Sequence, residues 1–371
     1  MGIPRKICLL GIAMLLFAPL RAYGDPYPPS PVISEVIFDF STHDRRAPGS
    51  DNWPVTWADD DNQYTSWGDG GGFGGTNEVG RVSLGVARLE GPGTSYKGFN
   101  VWGGNAPETP ATFEGKSYGI LSLSGTLYMW VTPGSDETGY TEARIHRSTD
   151  HGASWTRADW NFPGSDGITA PTFLQFGRDY QGARDGYVYI YANHVKDASA
   201  LLVQIPGEIA LMRVPVDGLM SRDRYEFFMG VDDSGTPVWT KDIQSRVPVF
   251  SDASGVGWNC SASYNPGLKR YLLMTEHVST VNGNIGIFDA PTPWGPWTTV
   301  LYTDSFGAPH IETTTFFWNF SNKWLSDDGK DFVMIFTGGK SNDSWNSVRG
   351  SFVVKESSGA PPSPPRNLVL E

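Results

Sequence analysis

The sequence predicts an all-β fold, a five-bladed β-propeller of antiparallel sheets, on three observations. Five aromatic-rich hairpin signals recur along the chain, and one or two further strand-like runs follow each of them. The repeat spacing, roughly 50 to 90 residues, suits a short antiparallel sheet per unit. With 44 glycines and 27 prolines, no long helical pattern survives anywhere.

Residues 1–24 read as a secretory signal peptide. Arg5 and Lys6 form a positive start, an apolar run continues to Leu20, and Ala22-Tyr23-Gly24 is a small-x-small cleavage site. The run falls short of the roughly 20 residues of a membrane span, and no later segment approaches one. The expected location is therefore secreted or periplasmic. Losing Arg5, Lys6 and Arg21 with the leader takes the net charge from −12 to −15. Without a local Lys/Arg cluster, so acidic a chain is a poor partner for nucleic acid or other polyanions. Cys260 is then the only cysteine left, so no internal disulfide can form, and burial is its expected fate. Residues 25–356 are assigned to the propeller and 357–371 to a Pro-rich tail.

The first hairpin runs from Asp51 to Gly70, two apolar and aromatic segments around the acidic turn Asp59-Asp60-Asp61. Folding about Asp60 places Asp51 opposite Asp69, with facing residues roughly 5 Å apart, and a register shifted by one still leaves the two acids neighbours. The next hairpins are Tyr118 to Val131 around Ser124-Gly125, Thr172 to Ala192, Ser261 to Thr275, and Thr313 to Thr337. Outer strands follow at Ala143 to Arg147, Ile209 to Val214, Ile285 to Phe288 and Gly350 to Val354. Ser148 to Trp155 matches the pattern S-x-D-x-G-x-[ST]-W. It resembles the Asp-box turn of sialidase-type propellers, which gives Asp150 a structural role tying two strands of one blade.

In a propeller the innermost strand starts, and the second strand ends, at the same end of the molecule. Those positions here collect Asp51, Asn52, Trp53 and Asp69; Lys116 and Ser117; Thr169, Asn193 and His194; Trp258, Asn259, Glu276 and His277; and His310, Glu312 and Lys340. Such a polar cup with aromatic walls suits a polysaccharide, whose C–H faces stack on tryptophan while amides and carboxylates bind hydroxyls. Asp51 and Asp69 are the expected catalytic pair of a glycoside hydrolase, two carboxyls flanking one bond. The drier and more anionic of the two is expected to be the acid. Asn52, Trp53, His194, Trp258, Asn259, Glu276, His277 and His310 are expected to bind substrate, with Trp53 as a stacking platform. The triple-Asp turn reads as a solvated tip. No metal-ligand spacing is present and no cofactor is expected.

Residues Trp57 to Gly70 (W-A-D-D-D-x-x-Y-x-x-W-G-D-G) resemble the signature of the DUF4185 propeller family. The segment Gly286 to Trp297 resembles an element shared with five-bladed arabinanase-type glycosidases. The resemblance spans residues 30 to 355 and includes glycoside hydrolase family 183, endo-acting D-arabinanases. It implies a catalytic Asp pair at the ends of the first hairpin, which falls on Asp51 and Asp69. Two rival readings stay open. A polysaccharide lyase would use His194 or His277 as base with Lys340 neutralising a uronate, and a non-catalytic glycan-binding protein would need neither acid.

Overall fold

The structure, a computed structural model, describes residues 24–104, 113–135, 138–197, 201–311, 314–339 and 343–356. Residues 1–23, which include most of the expected signal peptide, the tail at 357–371, Glu312 and Lys340 lie outside the described residues. Five antiparallel units follow one another. The first comprises strands Val55–Trp57, Gln63–Gly68, Leu84–Glu90 and Lys97–Trp102. The second comprises Lys116–Leu123, Thr126–Thr132, Glu142–Ser148 and Thr156–Arg157. The third is built on Thr172–Gln175, Tyr187–Asn193, Gly207–Pro215 and Glu226–Val231, and the fourth on Cys260–Asn265, Arg270–Glu276, Ile285–Ala290 and Thr298–Thr303. Thr315–Phe320, Asp331–Gly338 and Trp345–Val354 open the fifth, whose fourth strand is Ile33–Arg46 from the other end of the chain.

The innermost strands touch in sequence and the circle closes. Ser122 N–H donates to Thr56 Oγ1 at 2.9 Å between units one and two, and Gln175 donates to the Ile120 carbonyl at 2.8 Å between two and three. Leu174 pairs with Ala262 in parallel between three and four. Ser261 donates to the Trp318 carbonyl at 2.5 Å between four and five, and Asn319 to the Trp53 carbonyl at 3.2 Å between five and one. Val55, Phe173, Ala262 and Asn319, from four of these strands, surround a central void of only about 10 Å³. This ring of radial sheets is a β-propeller.

The reason is legible locally. Inner strands are buried on both faces, and Gln63–Gly68, Lys116–Leu123, Cys260–Asn265 and Thr315–Phe320 expose nothing. The cores between units are correspondingly aromatic. Close approach of units two and three depends on Gly119, where a Cβ would lie 2.7 Å from the Pro171 carbonyl oxygen. The Asp-box behaves as expected. Asp150 accepts from Ser148 Oγ (2.7 Å) and Ser154 N–H (2.9 Å), and Trp155 Nε1 donates to the Gly152 carbonyl (3.0 Å), joining the outer strands of unit two. Cys260 is buried, and burial pushes its thiol up. Among the described residues no helix is long and apolar enough to cross a membrane.

Closure predicts that the N-terminal strand is indispensable. A chain starting at Ala47 leaves Trp345–Val354 as an unpaired edge over a buried aromatic core. It should lose its cooperative thermal transition and aggregate, as monitored by circular dichroism and light scattering.

Candidate active site

The first hairpin builds the site. Its strands keep the predicted register, with Val55 facing Thr65 and Trp57 facing Gln63. At the open end the register slips by one, and Asp51 pairs with Gly68 through two backbone bonds of 2.8 and 2.7 Å. The slip has a cause. Asn52 lies in the left-handed region (φ 56°) and its N–H is drawn to Thr337 Oγ1 of the fifth unit at 3.0 Å. Asp69 also has positive φ, 51°, so both residues flanking this pairing are backbone exceptions of the kind that cluster at functional sites.

Lys116, first residue of the second unit's inner strand, joins the two acids. Its Nζ lies 2.8 Å from Asp69 Oδ2 and 3.6 Å from Asp51 Oδ1, so those two oxygens are at most about 6.4 Å apart. Arg81 reaches Asp69 at 3.3 Å, and Asn52 Nδ2 donates to Asp51 Oδ1 at 2.8 Å. The lysine passes through a slot left by Gly68, where a Cβ would stand 2.4 Å from Asp51 Oδ1 and 2.7 Å from Lys116 Cδ. Burial raises the Asp51 carboxyl to about 7. Lys116 opposes the rise, while Asp69 and Asp343 add to it. Asp343 is raised too, by burial first. Burial alone would pull Lys116 down, but Asp51 and Asp69 outweigh it and hold the ammonium above its usual value.

Across the mouth, Glu276 ends the second strand of unit four, fully buried. Its Oε1 accepts from Val281 N–H at 2.7 Å, and its Oε2 has no hydrogen-bond partner. Burial raises this carboxyl to about 8, against the pull of the Val281 bond. The turn supplying that bond places Val278 (φ 63°) and Val281 (φ 53°) in the left-handed region, costly for branched side chains. Tyr118, Trp258, Asn259 and Asn193 each also carry a buried polar atom without a partner.

Several expected binding residues sit elsewhere or face inward. Trp53 is wholly buried, its ring 5.3 Å from that of Trp345 and 5.5 Å from that of Phe73, so it is core and not a stacking platform. Trp258 is also buried, against Phe316. Asn52 and Asn259 are at the mouth and buried. His277 is buried and stacks on Tyr302 at 3.7 Å; burial lowers its imidazole against the pull of Asp304 and Asp252. His194 occupies a separate 210 Å³ pocket with Asp166, Glu208 and Arg246. His310 is exposed and stacks on Phe40 of the outermost strand, away from the inner-strand positions. The sequence reading assigned no role to Lys116, Arg81, Tyr118 or Asp343. Its position at an inner-strand start placed Lys116 among the residues of the expected cup, though with no role.

A cavity of about 930 Å³ lies between units one and five at the opposite end, beside Asp60, Asp61, Lys323 and Trp324. It shares no residue with the carboxylate cluster. The mouth is the better candidate because it gathers raised carboxyls and backbone strain. At the hairpin tip Asp59, Asp60 and His151 lie close enough to share a cation, but these groups already bond to one another and to their own turn.

Two measurements follow from this geometry. Trp53→Ala should cost roughly 3–5 kcal/mol of stability, the range for a buried aromatic, and lower the thermal midpoint, whereas loss of a surface platform would leave it unchanged. Asp51 and Glu276 hold protons in the folded state that the unfolded chain has released above about pH 4. Each therefore contributes stability that is complete in acid and lost as pH rises toward about 7 and about 8 respectively. The thermal midpoint should fall across that window, and Glu276→Gln should flatten the fall near its upper end.

The profile of the Domain of unknown function DUF4185 matches residues 118–346. No curated protein matches the chain. Among solved structures, a proposed hydrolase of Bacteroides ovatus ATCC 8483 superposes with a TM-score of 0.52 at 14% identity, covering 81% of this chain and 85% of its own. A thermostable family-43 glycoside hydrolase gives 0.45 at 14%, covering 92% and 99%, and a GH43_1 enzyme from Xanthomonas citri gives 0.47 at 12%, covering 84% and 89%. At such identities a likeness speaks for fold alone. The family match covers more than half the chain, beginning in the second unit and ending in the last strand of the fifth: this protein belongs to the DUF4185 family.

Proposed function

We propose that the protein is a glycoside hydrolase acting on a polysaccharide at the mouth of the propeller. The observation that carries this reading is the pair Asp51 and Asp69, one carboxyl that holds its proton near neutrality and one that faces two cations, bridged by Lys116. Glycosidic cleavage needs such a division, an acid to protonate the leaving oxygen and a carboxylate to attack the anomeric carbon or to activate water. Asp51 is the acid, kept protonated chiefly by burial. Asp69, whose side chain is 40% exposed and faces Lys116 and Arg81, is the second carboxyl, within reach of substrate. The fold shared with the proposed Bacteroides hydrolase agrees with this reading. The resemblance of the first hairpin to endo-acting D-arabinanases suggests a furanose-containing glycan such as arabinan, cut internally. Export by the N-terminal leader would bring the enzyme to such a polymer outside the cytoplasm.

The test is a polysaccharide panel with product mass analysis, followed by variants on whichever glycan is cut. Asp51→Asn and Asp69→Asn should each lower kcat by at least about 10²-fold while the folded state persists. Activity should decline as pH rises through about 7, because the acid must carry its proton. Full activity in both variants overturns the assignment. If Asp51→Asn stays active, Glu276→Gln is dead and the alkaline limb lies near 8, the acid is Glu276 instead.

A further inference from the structure

Lys116 is an unusual residue for the start of an inner strand. Its side chain is only 9% exposed, and the chain dispenses with a side chain at position 68 to let it through. A lysine needed only to neutralise acids could approach from the solvent side, as Arg81 does at 45% exposure. Instead the ammonium is threaded beneath the pair and contacts it unequally, 2.8 Å to Asp69 against 3.6 Å to Asp51. Coulombic attraction falls with distance, and a buried charge is expensive unless paired. The closer acid therefore gains most from ionising, and the more distant and drier one gains least.

We propose that Lys116 is the positioning residue of this site, an ammonium threaded beneath both carboxyls that keeps the Asp51 proton loose enough to be donated. The inference rests on the hydrolase reading for its catalytic meaning, though not for its electrostatics. Asp51 is faced by Lys116 and Tyr118 from the second unit, by Asp69 from its own hairpin and by Asp343 from the fifth. Arg81 stands behind Asp69, and Arg45 with Lys116 acts on Asp343. Among the described residues Lys116 is the only cation within 4 Å of Asp51, whereas Asp69 keeps Arg81 if the lysine is lost. Asp51 lies in the drier surroundings (12% exposed against 40%), where the ammonium's charge is least screened, so its removal should be felt clearly there. The proton would be held more tightly on Asp51, past the range in which it can be donated readily. Lys116 itself forms and breaks no bond in this scheme.

The experiment titrates the aspartate side-chain carboxyls by carbon NMR in the wild-type protein and in Lys116→Met, with Asp51 assigned through Asp51→Asn. The Asp51 midpoint should rise by roughly one to three pH units, the effect of losing an opposite charge at this range. On a cleavable glycan, the alkaline limb of kcat should move the same way while kcat falls. If Lys116→Met does not fold, Asp69→Asn is compared with Asp69→Asn/Lys116→Met, which removes one charge of each sign; the same upward shift is expected between these two. A merely structural lysine would lower the thermal midpoint and leave both titrations in place, which overturns the proposal. If no glycan is cut and yet the Asp51 midpoint moves, the hydrolase reading fails and the electrostatic role of Lys116 stands. If glycan is cut and neither the midpoint nor the limb moves, the reading stands and this inference fails.

Discussion

Closure of the ring between the fifth and first units is the constraint from which the site follows. The chain's first strand completes the last sheet, so the first hairpin must dock against a unit made more than 250 residues later. The docking is polar and buried. Asn319 donates to the Trp53 carbonyl, Ser321 Oγ to Gln63 Oε1, and Trp345 Nε1 to Tyr96 OH. These bonds hold the hairpin rigidly, and the tie from Asn52 N–H to Thr337 bends its open end out of register. Without that bend Asp51 and Asp69 would face each other directly as two bare carboxylates. With it, Asp51 turns inward over Gly68, Asp69 stays near solvent, and the difference in their surroundings is set by the fold.

That difference is electrostatic in origin and structural in cause. A buried carboxylate is expensive, so the folded protein keeps Asp51 and Glu276 protonated where an exposed residue would ionise. The mouth therefore stores free energy that the core must offset. Strained backbone at Asn52, Asp69, Val278 and Val281 adds to that cost. Tightly packed aromatic clusters on either side, with Trp53, Trp67 and Trp345 beneath the pair and Phe316 and Trp318 near Trp258, are what make the arrangement tolerable.

Much of this was legible in the sequence. The five hairpins, the outer strands that follow them, the Asp-box and the strand register of the first hairpin all rest on short-range rules of alternation and turn chemistry, and they hold. The site was legible in outline, because inner-strand ends of any propeller converge. What sequence could not supply was the direction in which side chains point. Trp53 was read as facing the mouth from its position next to Asp51, but the left-handed Asn52 intervenes and turns the ring into the core. His310 was counted as a strand-start residue, yet it precedes the strand by five positions and lies against Phe40. Lys116 stood in the right place from the start, but a lone lysine has no role until Gly68 and both acids are seen around it.

The first hairpin also shows why residue type alone cannot locate chemistry. Its tip carries three consecutive aspartates and its open end carries two that are far apart in sequence. At the tip, Asp60 accepts from Asn62 and Tyr64, and those bonds outweigh partial burial and hold its carboxyl below the usual range. Asp61 lies beside Lys323 and accepts from Trp57 Nε1. Asp60 and Asp61 are thus engaged by their own neighbours, which hold their carboxyls low. At the other end the same residue type meets low dielectric, a neighbouring carboxylate and a single threaded lysine, and one of the pair keeps its proton. A strand of six residues separates the two environments, and the ring that buries one end and leaves the other in solvent decides which aspartate carboxyls are pushed up and which are held down.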